Sequence, residues 1–312
     1  MTQIICGVDV GSETLDAQVG RDGAWQRFAR DAEGIASLAA FCKTHGVELV
    51  VMEATGGYER LPFAQLWGAG QPAALVNPRA VRQFARAMGR LEKTDRIDCG
   101  MIAWYADVRR IRPVKPASAG QQRLSALVVR LRQLTDCKVA QLNQRRLVTE
   151  PDVLSTFEAV LAALKLQIHT LETKIAEAID DDPLWAELDR AFRTIKGVAD
   201  RTVAQLMASL PEIGLLTGKA VSKLAGLAPL AQDSGKQAGP RAIRAGRAEL
   251  RSILYTVAEI VRRFDPGLQA FHKRLRDAGK PKKVVRVAVA HKLLVRLNAK
   301  AREAREKMVP AT

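Results

Sequence analysis

Four carboxylates in this 312-residue chain stand where ordinary surface charge does not explain them. Asp9 ends the apolar run Ile4-Ile-Cys-Gly-Val-Asp9, and Glu53 ends Leu49-Val-Val-Met-Glu53. A carboxylate at the end of a buried strand is costly unless it meets a cation or a hydrogen-bond donor. Asp95 and Asp98 are three apart in Lys93-Thr-Asp-Arg-Ile-Asp98, where Thr94 reads as a helix N-cap, so both lie on one helix face. Oxygen donors of this kind suit Mg²⁺, and paired ions can stabilise the attacking and leaving oxygens of a phosphodiester. An acidic pair three apart is ordinarily a solvated helix face. The set of four, ahead of a strongly basic segment, is what points to metal-assisted phosphoryl chemistry.

A second unusual stretch runs from Leu224 to Arg251. It carries Asp233-Ser-Gly235 and then Arg241, Arg244, Arg247 and Arg251. Arginines can clamp phosphate and offset charge in a pentacovalent transition state, beside which Ser234 would act as nucleophile. Asp-Ser-Gly is equally an ordinary turn, and composition does not choose between the two. Lys280, Lys282 and Lys283 add another cluster expected to contact nucleic acid. His45, His169, His272 and His291 sit in no motif, and Cys6, Cys42, Cys99 and Cys137 lack zinc-site spacing.

The elements that must hold these residues fall into three stretches. Over 1–115, strand-like and helix-like runs alternate: strands at Ile4–Val10, Leu15–Val19, Trp25–Ala29, Leu49–Met52 and Ala73–Val76, and helices at 32–45, Leu61–Trp67 and 79–88. Two ββ connections followed by βα units predict a mixed sheet of the α/β ribonuclease-H type. Over 116–185, Leu154, Phe157, Leu161, Leu164, Ile168, Leu171, Ile175 and Ala178 keep heptad spacing, which predicts an α-helical coiled-coil hairpin or a dimer seam. Over 186–312 a mainly helical basic domain is expected. Within it, Ile195-Lys-Gly-Val198 reads either as a helix-hairpin-helix turn able to hold a DNA phosphate or as a plain turn.

Charge sharpens this division. Residues 186–312 hold 26 basic against 11 acidic residues, so that +15 of the chain's net +16 lies there. Such a block suits a polyanion, because each phosphate neutralised releases condensed counterions. The cysteine pattern, the missing signal-like start and the absence of a membrane-length apolar run predict a cytoplasmic, nucleoid-associated protein with no membrane partner.

Gly7-Val-Asp9, Met52-Glu-Ala-Thr-Gly-Gly-Tyr58, Val76-Asn-Pro78 and Lys93-Thr-Asp-Arg-Ile-Asp98 resemble the ribonuclease-H-like (RuvC-like) domain of the DEDD insertion-sequence transposases. This group is named for the IS-one-ten element and includes Piv-type DNA invertases. Ile195-Lys-Gly-Val198, Leu224-Ala-Gly-Leu-Ala-Pro229, Asp233-Ser-Gly235 and Gly246-Arg-Ala-Glu-Leu-Arg251 resemble its C-terminal transposase domain. The resemblance implies that Asp9, Glu53, Asp95 and Asp98 hold Mg²⁺ or Mn²⁺, that Ser234 becomes joined to DNA, and that cut ends are rejoined in a recombination reaction. It also implies a homo-oligomer (dimer or tetramer) and a noncoding bridge RNA pairing with target and donor DNA. Ser12 departs from the pattern, since relatives often carry lysine there, which puts a phosphate contact in doubt.

Three rival readings are a structure-specific metal nuclease using water, a non-catalytic nucleic-acid-binding protein, and a sugar kinase. Gly7-Val-Asp-Val-Gly-Ser12 resembles a sugar-kinase phosphate loop, but no second Gly-rich loop follows, and the basic block would be left unexplained.

Overall fold

A computed structural model describes residues 3–90, 92, 94–231, 233–234, 239 and 241–308; the Asp95 and Arg96 side chains, Lys93 and Gly235 lie outside the described residues. The chain forms two compact units, 1–117 and 118–312.

The first unit is built on a five-stranded sheet of order β3-β2-β1-β4-β5. Strands β1 (Ile5–Val10), β2 (Thr14–Val19) and β3 (Trp25–Ala29) are antiparallel, and β4 (Leu49–Glu53) and β5 (Ala73–Val76) continue from β1 in parallel. Successive side chains alternate between the two faces of a strand, so each strand feeds two cores. Cys6, Val8 and Val10 pack with Ile35 and Leu38 of α1 (Ala32–Thr44) and Phe63 and Leu66 of α2 (Arg60–Gly68). Ile5, Val51 and Ala74 pack on the opposite face with Val81 of α3 (Pro78–Ala87) and with Met101, Ile102 and Ala106 of α4 (Asp95–Arg109). Burying each large aliphatic chain contributes about 1.5–3 kcal/mol, which is what makes the alternation decisive for face choice.

The second unit is mainly helical and has one main core. Helices α5 (Ala119–Arg145) and α6 (Pro151–Asp180) pack against each other, and Leu161, Ile168 and Ile175, seven residues apart, are all buried. Leu124, Val128 and Leu131 of α5 and Ile168 and Ile175 of α6 join the same core as Phe192 of α7 (Pro183–Arg193), Leu206 of α8 (Asp200–Ser209), Val221 of α9 (Gly218–Leu224) and Leu254 of α10 (Ala248–Phe264). The 116–185 and 186–312 stretches therefore share apolar contacts. Helix α11 (Pro266–Asp277) adds Leu268, and α12 (Lys282–Met308) adds Val289, Leu293 and Leu297. Buried Asn298 of α12 accepts from the Gly214 amide and donates to the Leu216 carbonyl, both at 2.9 Å, so its polar head is satisfied inside that core.

Helical periodicity does not foresee one element, a ribbon of β6 (Pro229–Leu230) and β7 (Ala242–Ile243). Strands of two residues are too short to show an alternating pattern. The ribbon is anchored where Gly226 (φ +68°) and Gly246 (φ +71°) meet, since a Cβ on Gly246 would lie 2.3 Å from the Gly226 nitrogen. Only glycine permits both the left-handed backbone and that approach.

Candidate functional site

In the first unit, parallel pairing sets Val8 beside Met52, so Asp9 and Glu53 follow one residue later on adjacent strands. By alternation both lie on the α3/α4 face, with Ile5, Gly7, Leu49 and Val51. Helix α4 comes close over that face at Gly7, where a Cβ would lie 2.1 Å from the Cys99 carbonyl oxygen and 2.7 Å from the Ala103 nitrogen. The approach brings Asp98, next to Cys99, toward the strand that carries Asp9. Thr94 caps α4 by accepting from the Ile97 amide at 3.3 Å, as its place in the sequence predicts.

The Cys99 thiol senses this convergence. Its pKa is raised, mainly by burial, and the charges of Asp9, Asp16 and Asp98 push it further up, while hydrogen bonding at the Asp9 backbone opposes them. Its Sγ donates to the Asp16 carbonyl at 2.9 Å. Asp16 is a residue the motif reading passes over: it lies opposite Asp9 in the β1–β2 register, is 4% exposed, and accepts from Arg27 Nε at 2.8 Å. A lone acid between Leu15 and Ala17 in an apolar strand was the available signal. After Glu53, buried Glu59 accepts from the Thr55 and Gly57 amides at 3.1 and 2.8 Å and shapes the loop, leaving the Thr55 hydroxyl buried without a hydrogen-bond partner among the described residues. At Ser12, the carbonyl accepts from Arg30 Nε at 2.6 Å, and the guanidinium lies 5.1 Å from the centroid of the Tyr58 ring.

Asp9, Glu53 and Asp98 offer oxygen donors only, the chemistry that a hard divalent cation requires. Each is half-buried, so a ligand can reach it. No group of three His, Cys, Asp or Glu with metal-holding geometry is formed among the described residues, a set that leaves out the Asp95 side chain.

In the second unit, Ser234 is exposed in the segment between β6 and β7. The preceding Asp233 pairs with Arg241 at 2.5 Å and accepts from the Gly239 amide at 3.0 Å. The Arg241 hydrogen bond holds the Asp233 carboxyl below its ordinary pKa. The four arginines after the serine do different work. Arg247 grips Glu212 with two bonds of 2.7 and 2.8 Å and donates to the Ser209 carbonyl, and Arg251 donates to the Ala245 carbonyl. Arg244 is exposed and engaged in a contact of its own. Lys280, Lys282 and Lys283 are all exposed, and the last two border a hollow of about 480 Å³ with Arg262, Arg276 and Arg286. Gly197 of the Ile195-Lys-Gly-Val198 turn takes φ +97° and packs on Ile260 and Val261.

Residues 6–148 match a DEDD transposase family model, described as Transposase, and residues 189–273 match the model of the Transposase IS116/IS110/IS902 family. The chain belongs to the IS116/IS110/IS902 transposase family. Among the relatives of this transposase are the pilin gene-inverting proteins of Moraxella bovis and Moraxella lacunata, each 27% identical with 94% of either chain aligned. The matched regions take in Asp9, Glu53, Asp95, Asp98 and Ser234. No described helix of this family member is long and apolar enough to cross a membrane.

Proposed function

We propose that this transposase cuts and rejoins DNA by serine attack on a phosphodiester assisted by a divalent metal. What supports the reading is the match to two transposase family models together with Asp9 and Glu53 at the ends of adjacent parallel strands, on the face that α4, the helix carrying Asp98, approaches closely at Gly7. Asp9, Glu53, Asp95 and Asp98 would hold Mg²⁺ or Mn²⁺, which when bound offsets charge on the phosphodiester oxygens. The strand order 3-2-1-4-5, antiparallel then parallel, supports a ribonuclease-H-like (RuvC-like) framework for them.

In this reading the Ser234 oxygen bonds to phosphorus and loses its proton to solvent, while the bond to one deoxyribose oxygen breaks and leaves a free hydroxyl. The resulting phosphoserine ester keeps the bond energy, so a hydroxyl from another strand can displace the serine without ATP. Arg244, Lys280, Lys282 and Lys283 supply phosphate contacts, and Arg241 orders the serine segment through Asp233. The family resemblance supports a noncoding bridge RNA that selects the DNA, and a homo-oligomer as the working form.

Denaturing electrophoresis of labelled DNA tests the reading, with any RNA that copurifies retained. The wild type should give an adduct that protease digestion removes, whereas Ser234→Ala and Asp9→Asn should give neither adduct nor cut strand while still binding DNA. If Ser234→Ala cuts normally and Asp9→Asn does not, water is the nucleophile and the protein is a metal nuclease. If all three proteins bind DNA and none cuts, it is a binding protein.

A further inference from the structure

A cleft of about 650 Å³ opens between the β6–β7 ribbon and helices α11 and α12. Its wall is apolar, formed by Leu227, Ile243, Phe271, Val284, Val287 and Ala288. Arg241, Lys283 and Lys292 also line it, which places three cations around an apolar hollow. Lys283 and Lys292 have no ion-pair partner among the described residues, and the Lys292 ammonium sits 4.4 Å from the centroid of the Phe271 ring. A ligand that suits this arrangement is flat and apolar in one part and anionic in another.

The cleft is also tied to the serine. Arg241 on its wall is the residue that pairs with Asp233, immediately before Ser234, and Pro229, Ala242 and Ile243 of the wall belong to the ribbon whose connecting segment carries that serine. Ser234 thus directly follows a residue that is paired with the cleft wall.

We infer that this cleft receives one unstacked base of the DNA strand attacked by Ser234, with the flanking phosphates held by Lys283 and Lys292. The inference rests on the serine reading for the strand's identity. A base turned out of its stack presents π-faces to apolar side chains, as in proteins that hold single strands or extrude bases. His291, which borders the cleft, is half-buried, and burial lowers its pKa; the neutral ring keeps one donor and one acceptor nitrogen toward a base edge. Strand exchange gives such a site a purpose, since holding one base out of the duplex opens the pairing that must be rebuilt with a new partner.

Fluorescence anisotropy of the full-length protein with short single-stranded DNA, without divalent metal, tests the cleft separately from cleavage. A base-bearing oligonucleotide should bind about tenfold tighter than a fully abasic one of equal length and charge, near the low end of what base stacking contributes. Ala288→Trp fills the cleft and should erase that difference while leaving the abasic strand's affinity and salt dependence unchanged. Val284→Glu, at a position 53% exposed and so tolerant of change, should erase it as well. Circular dichroism and thermal melting establish that both variants fold. Equal binding of the two strands by the wild type, or a difference that survives both variants, would overturn the inference. Tighter, cleft-dependent binding of RNA of the same sequence would assign the cleft to RNA and overturn it too. An absent serine adduct leaves these binding results standing, so failure of the chemistry and failure of the cleft are distinguishable.

Discussion

The charges of Asp9, Asp16 and Asp98 all raise the pKa of the buried Cys99 thiol, and Asp16 is itself paired with Arg27. Asp9→Asn should lose most of the rise in melting temperature that Mn²⁺ gives the wild type. Calorimetric melts with and without Mn²⁺ check this, and an unchanged metal response would remove Asp9 from the site. Glu212 offers a pH test in the second unit. Burial pushes its pKa up, but the paired Arg247 guanidinium outweighs this and holds it below the ordinary value of 4.5. A depressed folded pKa means that the stabilisation is complete above the unfolded value and lost as pH falls through the lower folded one. The pair is more than a third exposed, so its worth is under about 1 kcal/mol. Glu212→Gln should thus melt slightly lower than the wild type at pH 7, and the gap should close below the ordinary glutamate range; a gap that widens in acid contradicts the assignment.

The docking of α4 on β1 is the element-level feature on which the carboxylates depend. Gly7 carries no left-handed strain, but it has no room for a methyl group, because backbone atoms of α4 occupy the position. Gly7→Ala should force the helix away and cost about 1–3 kcal/mol, the range for overpacking a tight contact. Since Asp98 moves with α4, Mn²⁺ affinity should fall together with stability. Gly89→Ala controls for the substitution itself, because its Cβ would meet nothing within 4 Å, and its φ of +75° confines the penalty to local strain. Loss of stability in Gly7→Ala with metal affinity unchanged would separate the helix contact from the site. The ribbon that flanks Ser234 has a comparable anchor in Gly226 and Gly246.

Across the two units the charge is unevenly shared. Residues 118–312 hold 34 basic and 20 acidic residues, leaving +14, while 1–117 holds 15 and 13, leaving +2. Several arginines of the second unit are occupied: Arg193, Arg247 and Arg262 pair with acids, which reduces the number free to face a polyanion. The exposed lysines at and just before the start of α12 are therefore the sharper test. Replacing Lys280, Lys282 and Lys283 by alanine should make the slope of log K against log salt shallower by roughly 0.9 for each duplex phosphate that is no longer neutralised. Filter binding from low to moderate salt measures it, and an unchanged slope would make this cluster a solvated face.

Much of the molecule was legible in the chain itself, because local pattern encodes which face a side chain takes. The apolar runs Ile4–Val10 and Leu49–Met52 placed β1 and β4, with Asp9 and Glu53 at strand ends, and heptad spacing marked the buried Leu161, Ile168 and Ile175. The partition of charge needed no structure at all. Local pattern carries no information about which distant strand becomes a neighbour. Parallel pairing of β1 with β4, about 40 residues later, made Asp9 and Glu53 adjacent, and antiparallel pairing with β2 set Asp16 opposite Asp9. The same limit applies to the arginines. Arg247 reads as a phosphate clamp beside Ser234, yet folding brings Glu212, 35 residues away in sequence, within 2.7 Å of it. The apolar cleft beside the ribbon likewise joins residues from Leu227 to Lys292. Periodicity determined the elements and their faces, and long-range pairing and packing alone decided which charges meet, because those contacts join segments that no local repeat connects.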